Sequence, residues 1–423
     1  MTSPASGTPP AGRPSGALSG ERAASREHDW QRRASDAIPG GCSTGSKRPE
    51  ALFGAYAGDH DLPTHYERAA GCMVVTTSGQ ELVDCTMALG AVAIGYADPA
   101  VTRAVHAAAA AGPVSGLPHR LEVEVSERLI DCVPCAEQVR FLRTGAEATA
   151  AAVRIARTAT ARTHVIACGY FGWLDWNSDA AGVPSDTTQH VTWIPYDGVA
   201  ALERAVRERA SELAAIVIEP LIHEVASADW LAAARAACDR TGAVLILDEI
   251  KTAFRVRTGG VQELTGIIPD LTTIGKALAN GYPLAAVVGS AAVMEAATRT
   301  WISSTAAAEA TGLAAAQAVI EWHERVDVPA RLAATGRDMQ AIVREALDRA
   351  PWLGVRAEGP PWMWRLTSDA PASLDTLVHA AARGGVLLKR GAYQFAAMAH
   401  DDAALDLLGA RLAAVIADLP PTP

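Results

Sequence analysis

Two charged residues, Asp248 and Lys276, stand at the ends of apolar runs near the middle of the chain. The first closes the run 243–247, Ala-Val-Leu-Ile-Leu, and the second follows Gly275 at the end of 271–274. If both runs are neighbouring strands of an open α/β sheet, both side chains reach the carboxyl edge, where such sheets hold their ligands. A lysine partly withdrawn from water there gives up its proton readily, and its neutral amine can condense with an aldehyde. A carboxylate beside it could keep a pyridine nitrogen protonated and so preserve an electron sink. Each also has a plainer reading: a surface lysine after a strand, and an aspartate capping the next turn.

Three further stretches invite the same double reading. Thr144, Gly145 and Ala146 lie between the apolar run 139–142 and a helical pattern over 149–157. A helix start offers free backbone N–H groups and a positive end to a phosphate, and Thr144 could add a hydroxyl or be an ordinary N-cap. Residues 169–173, Gly-Tyr-Phe-Gly-Trp, follow another apolar run. Tyr170 could stack on a flat ring, or the aromatics could simply pack the loop down. Thr305, just before an alanine-rich pattern at 306–324, puts a hydroxyl at a second helix start.

The elements that must position these residues alternate in βα fashion, with strands expected near 139–142, 164–167, 190–193, 215–218, 243–247, 271–274 and 284–288. Short buried runs between helices imply an α/β fold with a mostly parallel seven-stranded sheet covered on both faces. Strands at 72–76 and 81–85, separated by Thr-Ser-Gly-Gln, read as a hairpin. The region after 324 reads as α+β. We expect a disordered leader at 1–28, the N-terminal part of a small domain at 29–95, a large domain at 96–324, and the rest of the small domain at 325–423.

Composition narrows the classes. A net charge of −10 over 423 residues speaks against nucleic-acid binding, and no apolar run approaches the ~20 residues of a membrane span. The seven cysteines are scattered and odd in number, which favours reduced thiols in the cytoplasm. Cys132 and Cys135 have redox spacing but follow a helical pattern without a strand-to-helix turn, so neither a redox nor a metal site is expected.

Taken in order, these residues resemble the class III aminotransferases of the fold-type I pyridoxal phosphate (PLP) enzymes, especially their glutamate-1-semialdehyde aminomutase branch. The resemblance spans residues 36–420. Pro39-Gly-Gly41, the stretch 88–99, 139–148, Glu219-Pro220, Asp248-Glu249 with 252–255, 269–276 and 398–400 carry it. It implies that Lys276 forms the Schiff base with PLP, that Asp248 partners the pyridine nitrogen, and that Tyr170 stacks on the ring. It also implies that Gly145 and Ala146 bind the phosphate, that Glu219 and Ile250 line the cofactor, and that Thr305 reaches the partner subunit's cofactor in a homodimer with shared active sites.

Departures from the pattern bear on the substrate. Thr44 and Lys47 stand where the aminomutase pattern has a serine and an arginine for the substrate carboxylate, and a lysine lacks the bidentate guanidinium fork. Phe171 replaces a histidine, and Ala146 lacks a frequent phosphate-binding hydroxyl. Glu224, Lys389 and Arg390 are candidates for other substrate contacts. The resemblance therefore implies transfer of an amino group from an amino-acid donor to an aldehyde or ketone, with an amino-sugar or aminoglycoside-type acceptor of antibiotic biosynthesis preferred. The alternatives are the aminomutase itself, a PLP-dependent epimerase, and a non-catalytic paralogue.

Overall fold

A computed structural model describes residues 20–59 and 61–420 of the chain. At its centre is a seven-stranded sheet in the order Gln138–Leu142, Ala285–Gly289, Leu271–Ile274, Val244–Asp248, Leu213–Ile218, His164–Cys168 and Val191–Trp193. Ala285–Gly289 runs antiparallel to both of its neighbours, and the other pairings are parallel. All seven strands fall where sequence periodicity places them, with ends within two residues.

The central strands are apolar throughout because both faces are covered. Ile216, Ile218, Leu245 and Leu247 point to one face, packing with Trp230, Leu231 and Ala234 of the helix Ala228–Thr241. Ala215, Val217, Val244 and Ile246 point to the other, packing with Ala148, Ala152 and Ile155 of the helix Gly145–Thr160. Each leucine, isoleucine and valine side chain buried in this way stabilises the fold by about 1.5–3 kcal/mol.

A second sheet pairs Tyr66–Ala70, Met73–Thr76 and Glu81–Asp84 antiparallel, and Val386–Leu387 joins Glu81–Asp84 in parallel. The expected hairpin is present, with Gly79 in the left-handed region at its turn (φ +89°). A third sheet orders Val355–Glu358, Met363–Ser368 and Tyr393–Phe395.

Two expectations are corrected. The leader expected over 1–28 lies outside the described residues as far as 19, but from Gly20 the chain is helical, Gly20–Ala37. The anchor is tertiary: Glu27, buried, accepts from Ser78 N (3.2 Å) and Thr77 Oγ1 (3.3 Å) at the hairpin turn, a contact no local pattern reveals. The alanine-rich helix begins later than expected, Ala310–Arg325, and its N-cap is Glu309, which accepts from Thr311 N (2.9 Å). Thr305 therefore lies upstream of that helix start.

Candidate active site

The carboxyl ends of Gln138–Leu142, His164–Cys168, Leu213–Ile218, Val244–Asp248 and Leu271–Ile274 meet at one edge of the sheet, since Leu142 sits opposite Ala285 and Asp248 opposite Thr273. The loops leaving that edge enclose a cavity of about 500 Å³ lined by Thr144, Gly145, Ala146, Tyr170, Glu219, Asp248, Ile250 and Lys276. Eight residues from five separate loops thus converge in a volume suited to a small-molecule ligand.

Asp248 ends its strand 4% exposed. Its Oδ1 accepts from Ile250 N (3.0 Å) and Thr273 Oγ1 (3.1 Å), and among the described residues no donor reaches Oδ2. Burial, reinforced by the Glu219 carboxylate, pushes Asp248 up to about 7. A cationic ring nitrogen would reverse that shift by supplying the missing opposite charge.

Lys276 follows Gly275 in the left-handed region (φ +46°), a conformation that costs a non-glycine residue about 1–2 kcal/mol. Burial lowers its amine to about 8; Lys251 and Arg255 act in the same direction, against Asp248 and Glu219. At pH 8 about half of the amine is therefore neutral, against well under 1% for an ordinary lysine. The turn after Asp248 is tied down by Arg255, fully buried, which donates to the carbonyls of Ala396 (2.7 Å), Gly90 (3.1 Å) and Val92 (3.1 Å).

The helix Gly145–Thr160 aims its N-terminus at the cavity. Thr144 and Glu147 form a capping box: Thr144 Oγ1 accepts from Glu147 N (3.2 Å) and donates to Glu147 Oε2 (3.0 Å). The Thr144 hydroxyl is thus occupied by the cap, while among the described residues the N–H groups of Gly145 and Ala146 have no protein acceptor. These two N–H groups, with the positive end of a 16-residue helix, form an anion cradle.

Tyr170 and Phe171 separate the two readings of the aromatic loop. Tyr170 is 70% exposed and lines the cavity, its N–H donating to Glu219 Oε2 (3.0 Å). Phe171 turns into the core against Trp176 and Trp193, and its carbonyl accepts from Thr149 Oγ1 (2.8 Å). Gly172 (φ +91°) allows this turn to touch the cradle, because a Cβ there would lie 2.4 Å from Ala146 Cβ. Gly172→Ala is therefore expected to displace the helix start, lowering stability by about 1–3 kcal/mol and cofactor affinity by about tenfold; thermal unfolding and a cofactor titration check both.

The substrate candidates do not join this cavity. Lys389 is buried and its Nζ donates to the carbonyls of Ser46 (2.6 Å) and Ala51 (2.9 Å), so its charge holds backbone. Arg390 is paired with Asp375. Thr44 and Lys47 are exposed, and Lys47 lines a separate cavity of about 200 Å³ with Tyr66, Asp84 and Tyr96. Glu224 is exposed, beside His223 and Arg365 in another recess. Thr305 is exposed and lines a different recess, with residues 112–119.

Sequence reasoning missed Lys251, which lines the cavity paired with Glu219. Its one signal was position: it lies in the turn that leaves the same strand edge three residues after Asp248. It also missed Arg143, paired with Glu309 at 2.9 Å and thereby tying the cradle to the start of Ala310–Arg325. The Cys132 and Cys135 thiols are free, and burial pushes them to about 12 and about 11, so both stay protonated at neutral pH. Among the described residues no cluster of His, Cys, Asp and Glu could hold a metal ion, and no helix is long and apolar enough to cross a membrane.

A neutralisable lysine, a buried carboxyl with one oxygen lacking a donor, an anion cradle and an exposed ring in one cavity fit a phosphorylated pyridine aldehyde. The family model for class III aminotransferases matches residues 55–176 and 179–400. The 2'-deamino-2'-hydroxyneamine transaminase of Streptomyces kanamyceticus is 33% identical over 399 residues, covering 92% of this chain and 98% of that protein. Glutamate-1-semialdehyde 2,1-aminomutase of Laribacter hongkongensis (strain HLHK9) is 32% identical, covering 88% and 95%. The FumI protein of Sphingopyxis sp. MTA144, solved in its PLP internal aldimine form, superposes with a TM-score of 0.86 at 26% identity, covering 94% of this chain and 99% of that one. The chain belongs to the class III aminotransferases. It is a fold-type I transaminase whose cofactor is PLP.

Proposed function

We propose that this transaminase moves an amino group from an amino-acid donor to a carbonyl of an amino-sugar or aminocyclitol. Similarity over nearly the full length to a transaminase of neamine chemistry supports this acceptor class. The observation that carries it is the state of the cavity cations. Arg143 is paired with Glu309 and Lys251 with Glu219, so among the described residues lining the cavity no guanidinium stands free for a carboxylate such as that of glutamate semialdehyde. Tyr170, Trp173 and Tyr282 instead offer aromatic faces and phenol hydroxyls around the opening, suited to a polyhydroxylated ring.

PLP, when bound, supplies the electron sink that stabilises negative charge on the carbon bearing the amino group. On this reading Lys276 holds the cofactor through Nζ and, once released, carries the proton from that carbon and returns it, as base and then acid. Asp248 Oδ2 keeps the ring nitrogen protonated, Gly145 and Ala146 bind the phosphate, Tyr170 covers the ring, and Glu219 and Ile250 close its flanks. The exposed Thr305, with Leu117 (78% exposed) lining the same recess and Trp301 (81% exposed) four residues earlier in the chain, fits a homodimer in which this face meets the partner. The chain divides on the same reading into a large domain at 96–324 and a small domain built from 29–95 and 325–423, which the pairing of Val386 with Val83 supports. Its seven free thiols suit the cytoplasm.

The experiment supplies purified enzyme with glutamate, glutamine or other amino donors and follows amination of the cofactor by absorbance. Oxidised aminoglycoside precursors are then offered to the aminated enzyme, with product read by mass spectrometry. We expect at least one donor to aminate the cofactor and a keto-aminocyclitol to consume it. Failure of every donor sinks the aminotransferase reading. Turnover of glutamate semialdehyde without a donor, or proton exchange at carbon without amination, would favour the aminomutase or an epimerase. The non-catalytic alternative requires that Lys276, Asp248 and Tyr170 share one cavity without chemistry, and any turnover removes it.

A further inference from the structure

Lys251 is a second amine in the cavity that the reading above does not use. It comes from the turn after Val244–Asp248, and its side chain is only 15% exposed. Its Nζ forms an ion pair with Glu219 and sits 4.5 Å from the centre of the Tyr393 ring. Tyr393 is itself fixed, since its hydroxyl donates to the Ile222 carbonyl (2.5 Å). The other Glu219 oxygen accepts the Tyr170 N–H at 3.0 Å. One carboxylate thus joins the lysine to the loop that carries the stacking ring.

We propose that Lys251, clamped between Glu219 and Tyr393, is a positioning residue whose fixed positive charge shields Lys276 from the Glu219 carboxylate. Left unpaired, Glu219 would hold the Lys276 amine in its ammonium form, in which it can neither attack an aldehyde nor accept a proton. The other groups facing Lys276 are Asp248, which favours the ammonium, and Arg255, which opposes it. Lys251 faces Glu219, Tyr393 and Asp248, with His223 and Arg365 acting on the outer side of the cluster. Burial and Lys251 are the two largest influences lowering the Lys276 amine, in that order, which agrees with the geometry.

The inference rests on Lys276 as the residue that holds the cofactor, and its test separates the two. In full-length enzyme stripped of cofactor, the pH dependence of Lys276 acetylation, read by mass spectrometry, reports the amine directly. In the holoenzyme, the pH midpoint of the visible absorbance band reports the same nitrogen after it has condensed with the cofactor, and the same charges act on it. K251M is expected to raise both midpoints by about one unit, leaving about tenfold less neutral amine at pH 7. E219Q is expected to lower them, K251R to leave them unchanged, and the double substitution E219Q/K251M to return them toward the wild type. Should K251M fail to fold, E219Q and the double variant still decide. Midpoints unmoved by E219Q and by any folded K251M overturn the proposal. A protein that never shows the visible band, yet whose acetylation midpoint shifts as described, overturns the cofactor role of Lys276 and leaves the coupling standing.

Discussion

Lys276→Ala is expected to lower kcat for transamination by about 10⁴-fold or more and to abolish the visible absorbance of bound cofactor. The size follows from two losses at one atom. On the proposed reading Nζ both holds the cofactor and moves the proton, and among the described residues no other group lining the cavity is placed to inherit both tasks. Lys251 does not substitute, because its amine is committed to Glu219 and its proton is held more tightly than an ordinary lysine's by that carboxylate. The fold should survive, and with a gain: alanine removes a cation that burial penalises, although it stays in the left-handed region at φ +46°. Circular dichroism and thermal unfolding of K276A should therefore match or exceed the wild type. Activity within tenfold of wild type, or an unchanged visible spectrum, would show that another residue holds the cofactor.

What the sequence makes legible here is what one strand can state alone. Runs such as 213–218 and 244–248 are apolar on both faces, so a buried parallel strand is written into them, and a charge at the strand end is conspicuous by contrast. Asp248 and Lys276 stand out in that way. Residues whose task depends on a distant partner were misread or missed. Lys389 reads from the sequence as a candidate for substrate contact, yet its ammonium serves carbonyls at 46 and 51, more than 300 positions earlier in the chain. Lys251 has no signal of its own in the sequence, because Glu219 and Tyr393 reach it from other elements. Thr144 was offered as either cap or phosphate ligand, and only the reciprocal bonds with Glu147 assign its hydroxyl to the cap. The start of the helix at Gly20 was hidden for the same reason, its anchor Glu27 lying some 50 residues from Thr77 and Ser78.

Asp248→Asn should lower kcat by about 10³-fold while leaving the cofactor-free protein as stable as the wild type or more so. The asparagine carbonyl can accept from Ile250 N and Thr273 Oγ1 as Oδ1 now does, so the strand end keeps its geometry. What is lost is the negative charge on the oxygen without a protein donor, and with it, on the proposed reading, the means of keeping a ring nitrogen protonated. The stability side follows from the raised proton affinity of the buried carboxyl. Asp248 titrates near 7 in the folded chain and near 3.8 in an ordinary carboxyl, so the folded state binds its proton more tightly. Stability of the cofactor-free wild type therefore falls as pH rises from about 4 to about 7, by up to a few kcal/mol, and levels off above that. Asparagine never ionises, so D248N escapes this loss: the two proteins should unfold alike near pH 4, and D248N should unfold later at pH 8. Bound cofactor should invert the order, because its pyridinium stabilises only the carboxylate. Thermal unfolding at the two pH values, with and without cofactor, gives four comparisons. If D248N is the less stable protein without cofactor at pH 8, the charge of Asp248 serves the fold and not the ring.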